Sequence, residues 1–145
     1  ENVRPPAEAY RFFPPENETI LTIGSHTQRL IFEGGQKFKD YEWDHIGTFE
    51  AYIEDEKVQL SPAAKEIYDE PSKSMILRMM QATDYKVKEC HKAIENYVEW
   101  KKINIPPVLS EMTTRLIDSG FFYIHGRDRK FRPMIIVLVL SLRAT

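Results

Sequence analysis

The residues that most often carry out chemistry in proteins are sparse in this chain. Its histidines are His26, His45, His91 and His125, and their separations match no zinc-binding spacing. Cys90, the single cysteine, has no second thiolate with which to bind a metal or form a disulfide. Cys90 and His91 are adjacent in a segment with helical periodicity, so their side chains diverge rather than pair as nucleophile and base. We therefore expect no metal, no cofactor and no enzymatic activity, and a core position for Cys90.

A charged cluster lies between two β-prone segments near the end of the sequence. It consists of Arg127, Asp128, Arg129, Lys130 and Arg132. Its basic side chains could contact an anion such as a lipid head group. The alternative is a solvated hairpin turn, in which Asp128 accepts hydrogen bonds from the turn backbone and Arg132 pairs with a carboxylate. Turns select charged residues for solubility, which favours the alternative.

The overall composition is that of a soluble globular protein, with 42% hydrophobic and 29% charged residues among 145. A net charge of −2 provides no general attraction to nucleic acid, so we expect no nucleic-acid partner. The alternative is a small nucleic-acid binder that uses the turn at 127–132 with Phe131, which the acidic overall charge disfavours. The longest apolar run is far shorter than the ~20 residues of a transmembrane helix. A single cysteine favours a reducing compartment, and we expect a cytoplasmic location.

Two pairs of β-prone segments predict a hairpin near each end of the sequence. The first pair is 19–23 and 28–32, around a Gly-Ser-His-Thr turn. The second pair is 121–125 and 134–140, joined by the charged cluster. The run 135–140 is apolar at every position, which is typical of a strand that is covered on both faces inside a larger domain. We therefore expect this chain to be the front part of a larger protein.

Between the hairpins, helical periodicity predicts four or five helices with short connections. Predicted helix starts are Asp44, Ser61, Ser72 and Pro106, with a longer helix between the last two. Short connections favour an orthogonal arrangement. The predicted fold class is α+β, mainly α: a small orthogonal helical bundle with an N-terminal and a C-terminal β-hairpin.

The apolar positions of these helices predict which faces point inward. On the first helix Ile46, Phe49 and Ile53 fall at i, i+3 and i+7. The longer helix has one apolar stripe opposite a charged face. On the last helix the residues predicted to face inward are Leu109, Met112, Leu116 and Ile117.

The stretch 75–102 reads MILRMMQATDYKVKECHKAIENYVEWKK. It resembles the helical N-terminal lobe of the CRAL-TRIO family of phosphatidylinositol transfer proteins and retinaldehyde- or tocopherol-binding proteins. That lobe carries a helix rich in leucine and arginine, a basic-aromatic turn, and an amphipathic helix ending in tryptophan and basic residues. The matching residues are Leu77, Arg78, Met79, Met80 and Ala82 in the first helix, Tyr85 and Val87 in the turn, and Trp100, Lys101 and Lys102 at the end.

The resemblance continues into GFFYIHGRD at 120–128 and into Arg132-Pro133, where the family's lipid-binding lobe begins with its first two strands. It covers about half the chain, from 72 to 140. Two departures concern local geometry. Lys86 stands where the family favours an aspartate helix cap, and Phe131 replaces the usual glycine before Arg-Pro.

The resemblance implies a hydrophobic pocket under a mobile gating helix, with most of the pocket after residue 145. In choline-lipid-binding members, tyrosines on the first two strands face the head group. The matching positions here are aliphatic, which argues against that contact. The candidate cavity-facing residues are Ile124, Ile135, Val137 and Val139, and the candidate head-group residues are Arg127, Arg129, Lys130 and Arg132.

These observations predict three segments along the chain. Residues 1–60 form an N-terminal extension with a hairpin and one helix, 61–120 the helical lobe, and 121–145 the first strands of a truncated lipid-binding lobe. We expect a protein that binds and transfers a phospholipid or another hydrophobic ligand, with transient peripheral contact to membranes. The alternative is a protein-interaction module whose hairpin at 19–32 docks a partner by strand addition. We also expect self-association through 121–142, because an exposed apolar strand edge is a template for pairing.

Overall fold

Five α-helices and two antiparallel hairpins form the regular structure of this chain, in a computed structural model that describes residues 4–32 and 36–138. The fold is α+β and mainly α, as predicted. The strands are β1 (Ile20–Ile23), β2 (His26–Arg29), β3 (Phe122–Arg127) and β4 (Pro133–Val137). The helices are α1 (Asp40–Asp55), α2 (Pro62–Asp69), α3 (Ser74–Ala82), α4 (Val87–Asn104) and α5 (Glu111–Asp118).

The chain divides into two compact units by its internal contacts. The helical unit is Pro15–Ile105 and contains β1, β2 and α1 to α4. The hairpin unit joins Glu1–Pro14 with Pro106–Thr145 and contains α5, β3 and β4. The three segments drawn from the sequence, with boundaries at 60 and 120, stay a prediction.

The starts of α1 and α2 follow from side chains that satisfy free backbone N–H groups. Ser61 caps α2 as predicted: its Oγ accepts from the backbone N–H of Ala64 at 3.3 Å, and Pro62 occupies the first helical position. Helix α1 begins at Asp40, ahead of the predicted Asp44. The reason is that the Glu42 carboxylate accepts from the backbone N–H of Lys39 at 2.7 Å, which fixes the first turn upstream.

The starts of α3 and α5 also differ from prediction by a few residues. Lys73 directly precedes α3, and Ser72 lies one position before it. The Oγ of Ser72 accepts from the backbone N–H of Ser74, the first residue of the helix, at 3.3 Å. Helix α5 begins at Glu111, later than the predicted Pro106. There Ser110 is the N-cap and accepts from the backbone N–H of Thr113 at 3.1 Å, and the prolines lie before the helix.

The core of the helical unit has two neighbouring clusters. The larger contains Phe49, Ile53, Ala64, Ile76, Met80, Cys90 and Ile94, and the smaller contains Ile31, Ile46 and Leu77. The inward face predicted for α1 and the core position predicted for Cys90 are therefore confirmed. Cys90 packs in the larger cluster, and its burial there raises the pKa of its thiol to about 12.

The hairpin unit has no buried residue in its described part, 4–14 and 106–138. The inward face predicted for α5 is wrong, because Leu109, Met112 and Leu116 are exposed, Met112 at 82%. The helix is amphipathic, but the described part of its unit has no core in which its apolar side chains are buried.

One buried ion pair joins the N-terminal hairpin to α1. Arg29 donates from Nε and Nη2 to the two carboxylate oxygens of Glu42, each at 3.0 Å. The Glu42 side chain is fully buried and that of Arg29 is 8% exposed. A second Nη2 hydrogen bond of Arg29 goes to the carbonyl oxygen of Lys37 at 2.8 Å. The pair thus holds β2, the segment before α1 and α1 itself together.

We expect Glu42→Ala to lower the free energy of unfolding by about 3–5 kcal/mol, because it leaves the Arg29 charge buried without its partner. Urea denaturation followed by far-UV circular dichroism measures this loss. The control is Glu54→Ala, which removes an exposed carboxylate from the same helix and should change stability by no more than about 0.5 kcal/mol. Equal effects of the two substitutions would contradict a stabilising role for the pair.

Candidate functional site

The pairing of β3 with β4 places apolar side chains opposite one another. Phe122 pairs with Val137, and Ile124 pairs with Ile135, in antiparallel register. Cross-strand partners lie on the same side of a sheet, and alternate residues of one strand share a side. Phe122, Ile124, Ile135 and Val137 therefore form one continuous surface, here called the apolar face. Three of its members are predicted cavity-facing residues; the fourth prediction, Val139, lies outside the described residues.

The apolar face is open to solvent. Ile135 is 63% exposed, Ile124 and Val137 are each 50% exposed, and Phe122 is 39% exposed. Fully burying one such side chain contributes roughly 1.5–3 kcal/mol, so covering all of them is strongly favourable. Contiguous exposed apolar patches are frequent at interaction sites, which makes the apolar face the candidate site of this chain. Phe122 is absent from the predicted site residues. It lies two positions before Ile124, so period-two alternation puts both side chains on the same side of β3.

The opposite side of the hairpin has a different chemical character. Tyr123 pairs with Ile136, and the rings of Tyr123 and His125 meet edge to face with centroids 6.1 Å apart. This side mixes polar and aromatic groups with aliphatic ones. The hairpin therefore has one side made only of hydrocarbon side chains and one side that also carries hydrogen-bonding groups.

The charged turn is organised around Asp128. Its Oδ1 accepts from the backbone N–H groups of Lys130 and Arg132 at 2.8 and 2.9 Å, and its Oδ2 accepts from Nε of Arg132 at 2.7 Å. These contacts match the solvated-turn interpretation. The hydrogen bonds from the Arg132 side chain and backbone lower the pKa of Asp128 below its ordinary value. Because the pKa is lowered on folding, Asp128 stabilises the turn above the ordinary carboxyl pKa, and this contribution is lost as pH falls through the lowered value.

The predicted head-group residues are thus engaged to different degrees. Arg132 pairs with Asp128, with Nη2 at 2.6 Å from Oδ2. Arg127 donates from Nη1 to the carbonyl oxygen of Phe131 at 2.7 Å. Arg129 and Lys130 are exposed at the tip. Arg127 and Arg132 thus help to close the turn itself.

Phe131 closes the turn in a backbone conformation that favours glycine. Its φ is 59°, in the left-handed region, where a residue with a Cβ is strained and glycine is not. Its ring packs on that of Phe12 with centroids 5.5 Å apart at an angle of 60°. This aromatic contact joins the two chain segments of the hairpin unit, since Phe12 belongs to the first and Phe131 to the second.

We expect Phe131→Gly to leave the hairpin about 1 kcal/mol more stable than Phe131→Ala does, because both variants lose the ring but only glycine relieves the left-handed strain. Hydrogen exchange of the β3 and β4 amides measures the difference. If the alanine variant protects these amides equally well, the turn does not hold the left-handed conformation in solution.

The described residues contain neither a metal-binding group of side chains nor a membrane-spanning helix. No group of three or more His, Cys, Asp or Glu among them could hold a metal ion. None of the helices in the described part of the chain is long and apolar enough to cross a membrane.

Comparison with known proteins gives a distant similarity. No family model matches the chain, and no solved structure matches it. Patellin-2 of Arabidopsis thaliana is 32% identical over 86 residues, which cover 59% of this chain. The matched stretch spans 12% of the length of Patellin-2. The chain is therefore similar to a small part of a much longer protein.

Proposed function

We propose that this chain is part of a lipid-binding protein of the CRAL-TRIO class, and that its apolar face contributes to the surface that holds the hydrocarbon part of the ligand. The observation that carries the proposal is the continuous exposed face formed by Phe122, Ile124, Ile135 and Val137. By the sequence resemblance, these residues correspond to the place where the class begins its lipid-binding lobe. The distant similarity to Patellin-2, itself a CRAL-TRIO protein, supports the same class.

The chemistry of the apolar face favours recognition of hydrocarbon over recognition of a head group. All four side chains are hydrocarbon, so they offer no hydrogen bond to a polar ligand group. The driving force for binding is the removal of their surface from water. Aliphatic Ile124 and Ile135 replace the tyrosines that contact choline head groups in some members of the class. We therefore propose a ligand whose head group is held by other parts of the protein.

The rest of the chain acts in this proposal as a support. The helical unit has the buried core and fixes its own geometry, whereas the hairpin unit presents the binding surface. No catalytic step is proposed, and no cofactor is required. In the CRAL-TRIO class, function consists of extracting one hydrophobic ligand from a membrane into a cavity. We propose that the protein is cytoplasmic and contacts membranes transiently. We further propose a ligand of the phosphatidylinositol type.

The test is lipid capture from vesicles of phosphatidylcholine and phosphatidylinositol, with bound lipid measured by native mass spectrometry. We expect the unaltered chain to retain lipid. Ile124→Asp combined with Ile135→Asp should retain at least about tenfold less, because two carboxylates cannot be buried against hydrocarbon.

The matched control is Ile20→Asp with Ile23→Asp in the other hairpin. Those residues are 49% and 64% exposed, against 50% and 63% for the tested pair, so the change in surface polarity is the same. Equal loss of lipid in both double variants would show nonspecific adsorption and would count against the proposal, as would the absence of lipid from the unaltered chain.

We propose, second, that free apolar faces associate through the segment 121–142. In the described part of that segment, β3 and β4 pair only with each other, so each strand leaves one edge without a partner strand. Such a two-stranded sheet is marginal alone and gains stability from a covering surface. We expect the weight-average mass in analytical ultracentrifugation to rise with concentration, and the Ile124→Asp, Ile135→Asp variant to stay monomeric. A mass that is constant at the monomer value for the unaltered chain would contradict this.

A further inference from the structure

A groove lies between α2, the start of α3 and the C-terminal half of α4. Its volume is about 460 Å³, within the range of ~300–1,000 Å³ that is usual for small-molecule sites. Ile67, Met75 and Val98 contribute apolar lining, and Ala63 is an exposed small residue on the α2 side. All of its lining residues belong to the helical unit, so the groove shares none with the apolar face.

The groove has a basic side. Lys101 and Lys102, in the last turn of α4, both line it and are both exposed. Within the described residues neither lysine side chain forms a hydrogen bond or ion pair. Glu66 is the one carboxylate in the lining. The lysines complement the dipole of α4, which explains their place in its last turn but not the apolar groove beside them.

We propose that this groove binds a single-chain anionic amphiphile, a long-chain carboxylate or monoalkyl phosphate, independently of the function proposed for the apolar face. The hydrocarbon chain would lie along Ile67, Met75 and Val98, and the anion would meet Lys101 and Lys102. Charge and shape favour this class together. Two unpaired ammonium groups attract an anion, and an apolar groove of this volume suits one hydrocarbon chain.

An aromatic pair beside the groove provides a spectroscopic reporter. Tyr97 lines the groove, and its ring stacks on that of Trp100 with centroids 6.5 Å apart at 24°. Trp100 is 52% exposed. Trp43→Phe removes the other tryptophan and keeps an aromatic ring beside Phe38. In that background, occupation of the groove should change Trp100 emission.

The experiment titrates the full chain with myristoyl lysophosphatidic acid and with myristoyl lysophosphatidylcholine, both below their micelle concentrations, by Trp100 fluorescence and amide chemical shifts. We expect the anionic ligand to bind about fivefold tighter, since only its head group carries net charge to pair with the lysines. The shifts should concentrate at Ile67 and Val98.

Four variants separate the contributions of charge and shape. Lys101→Glu with Lys102→Glu should weaken binding of the anionic ligand about tenfold, whereas Lys88→Glu with Lys92→Glu makes the same charge change elsewhere on α4 and should leave affinity unchanged. Glu66→Gln should tighten binding about twofold. Ala63→Phe fills the groove from an exposed position and should abolish binding while the circular dichroism spectrum stays unchanged.

Several outcomes would overturn the proposal: no binding, equal affinity for both head groups, indifference to the Lys101 and Lys102 changes, or binding to vesicles without binding to the monomeric amphiphile. Shifts confined to β3 and β4 would also overturn it. Ile124→Asp with Ile135→Asp should leave groove binding intact, so failure of one proposal is distinguishable from failure of the other.

Discussion

The attachment of the N-terminal hairpin depends on one buried carboxylate. Glu42 is inaccessible to solvent, so its charge is tolerable only because Arg29 donates to both oxygens and the Lys39 backbone N–H donates to one of them. The same contacts fix the first turn of α1 and the path of the chain from β2. Since α1 supplies Phe49 and Ile53 to the larger core cluster, the pair connects β2 to a helix that is part of the core. A hydrophobic pair in place of Arg29 and Glu42 would not require this geometry, because apolar contacts are not directional.

The two units differ in how much of their surface is buried. In the described residues every buried side chain belongs to the helical unit, and the hairpin unit exposes the apolar face. A core of packed helices resists deformation because its side chains interdigitate at high density. A bare two-stranded sheet lacks that resistance. The surface proposed to contact ligand is therefore also the part of the chain whose conformation responds most to what covers it.

Local signals in the sequence predicted much of the helical unit. Ser61-Pro62 marks a helix start by a mechanism that needs no tertiary information, and the spacing of Ile46, Phe49 and Ile53 selects one helix face. The start of α1 lies ahead of the predicted Asp44 because Glu42 accepts from the backbone N–H of Lys39, and it is held there by Arg29 from a different element. The inward face predicted for α5 is wrong because an amphipathic pattern shows only that one helix face is apolar, and not that a neighbouring element covers it. On the apolar face, period-two alternation predicts one side for Ile135 and Val137 and one side for Phe122 and Ile124, whereas the cross-strand partners required the observed register.

The burial of Cys90 has a consequence for how this protein can be followed in solution. Its thiol has no exposed surface and a pKa of about 12, so hardly any reactive thiolate exists while the helical unit is folded. The chain has no other cysteine. Alkylation of the native protein therefore has to wait for an opening of the core around Phe49 and Ile94, and its rate reports how often that opening occurs. The sequence thus carries a native thiol whose alkylation reports the local unfolding equilibrium of the helical unit, with no engineered cysteine.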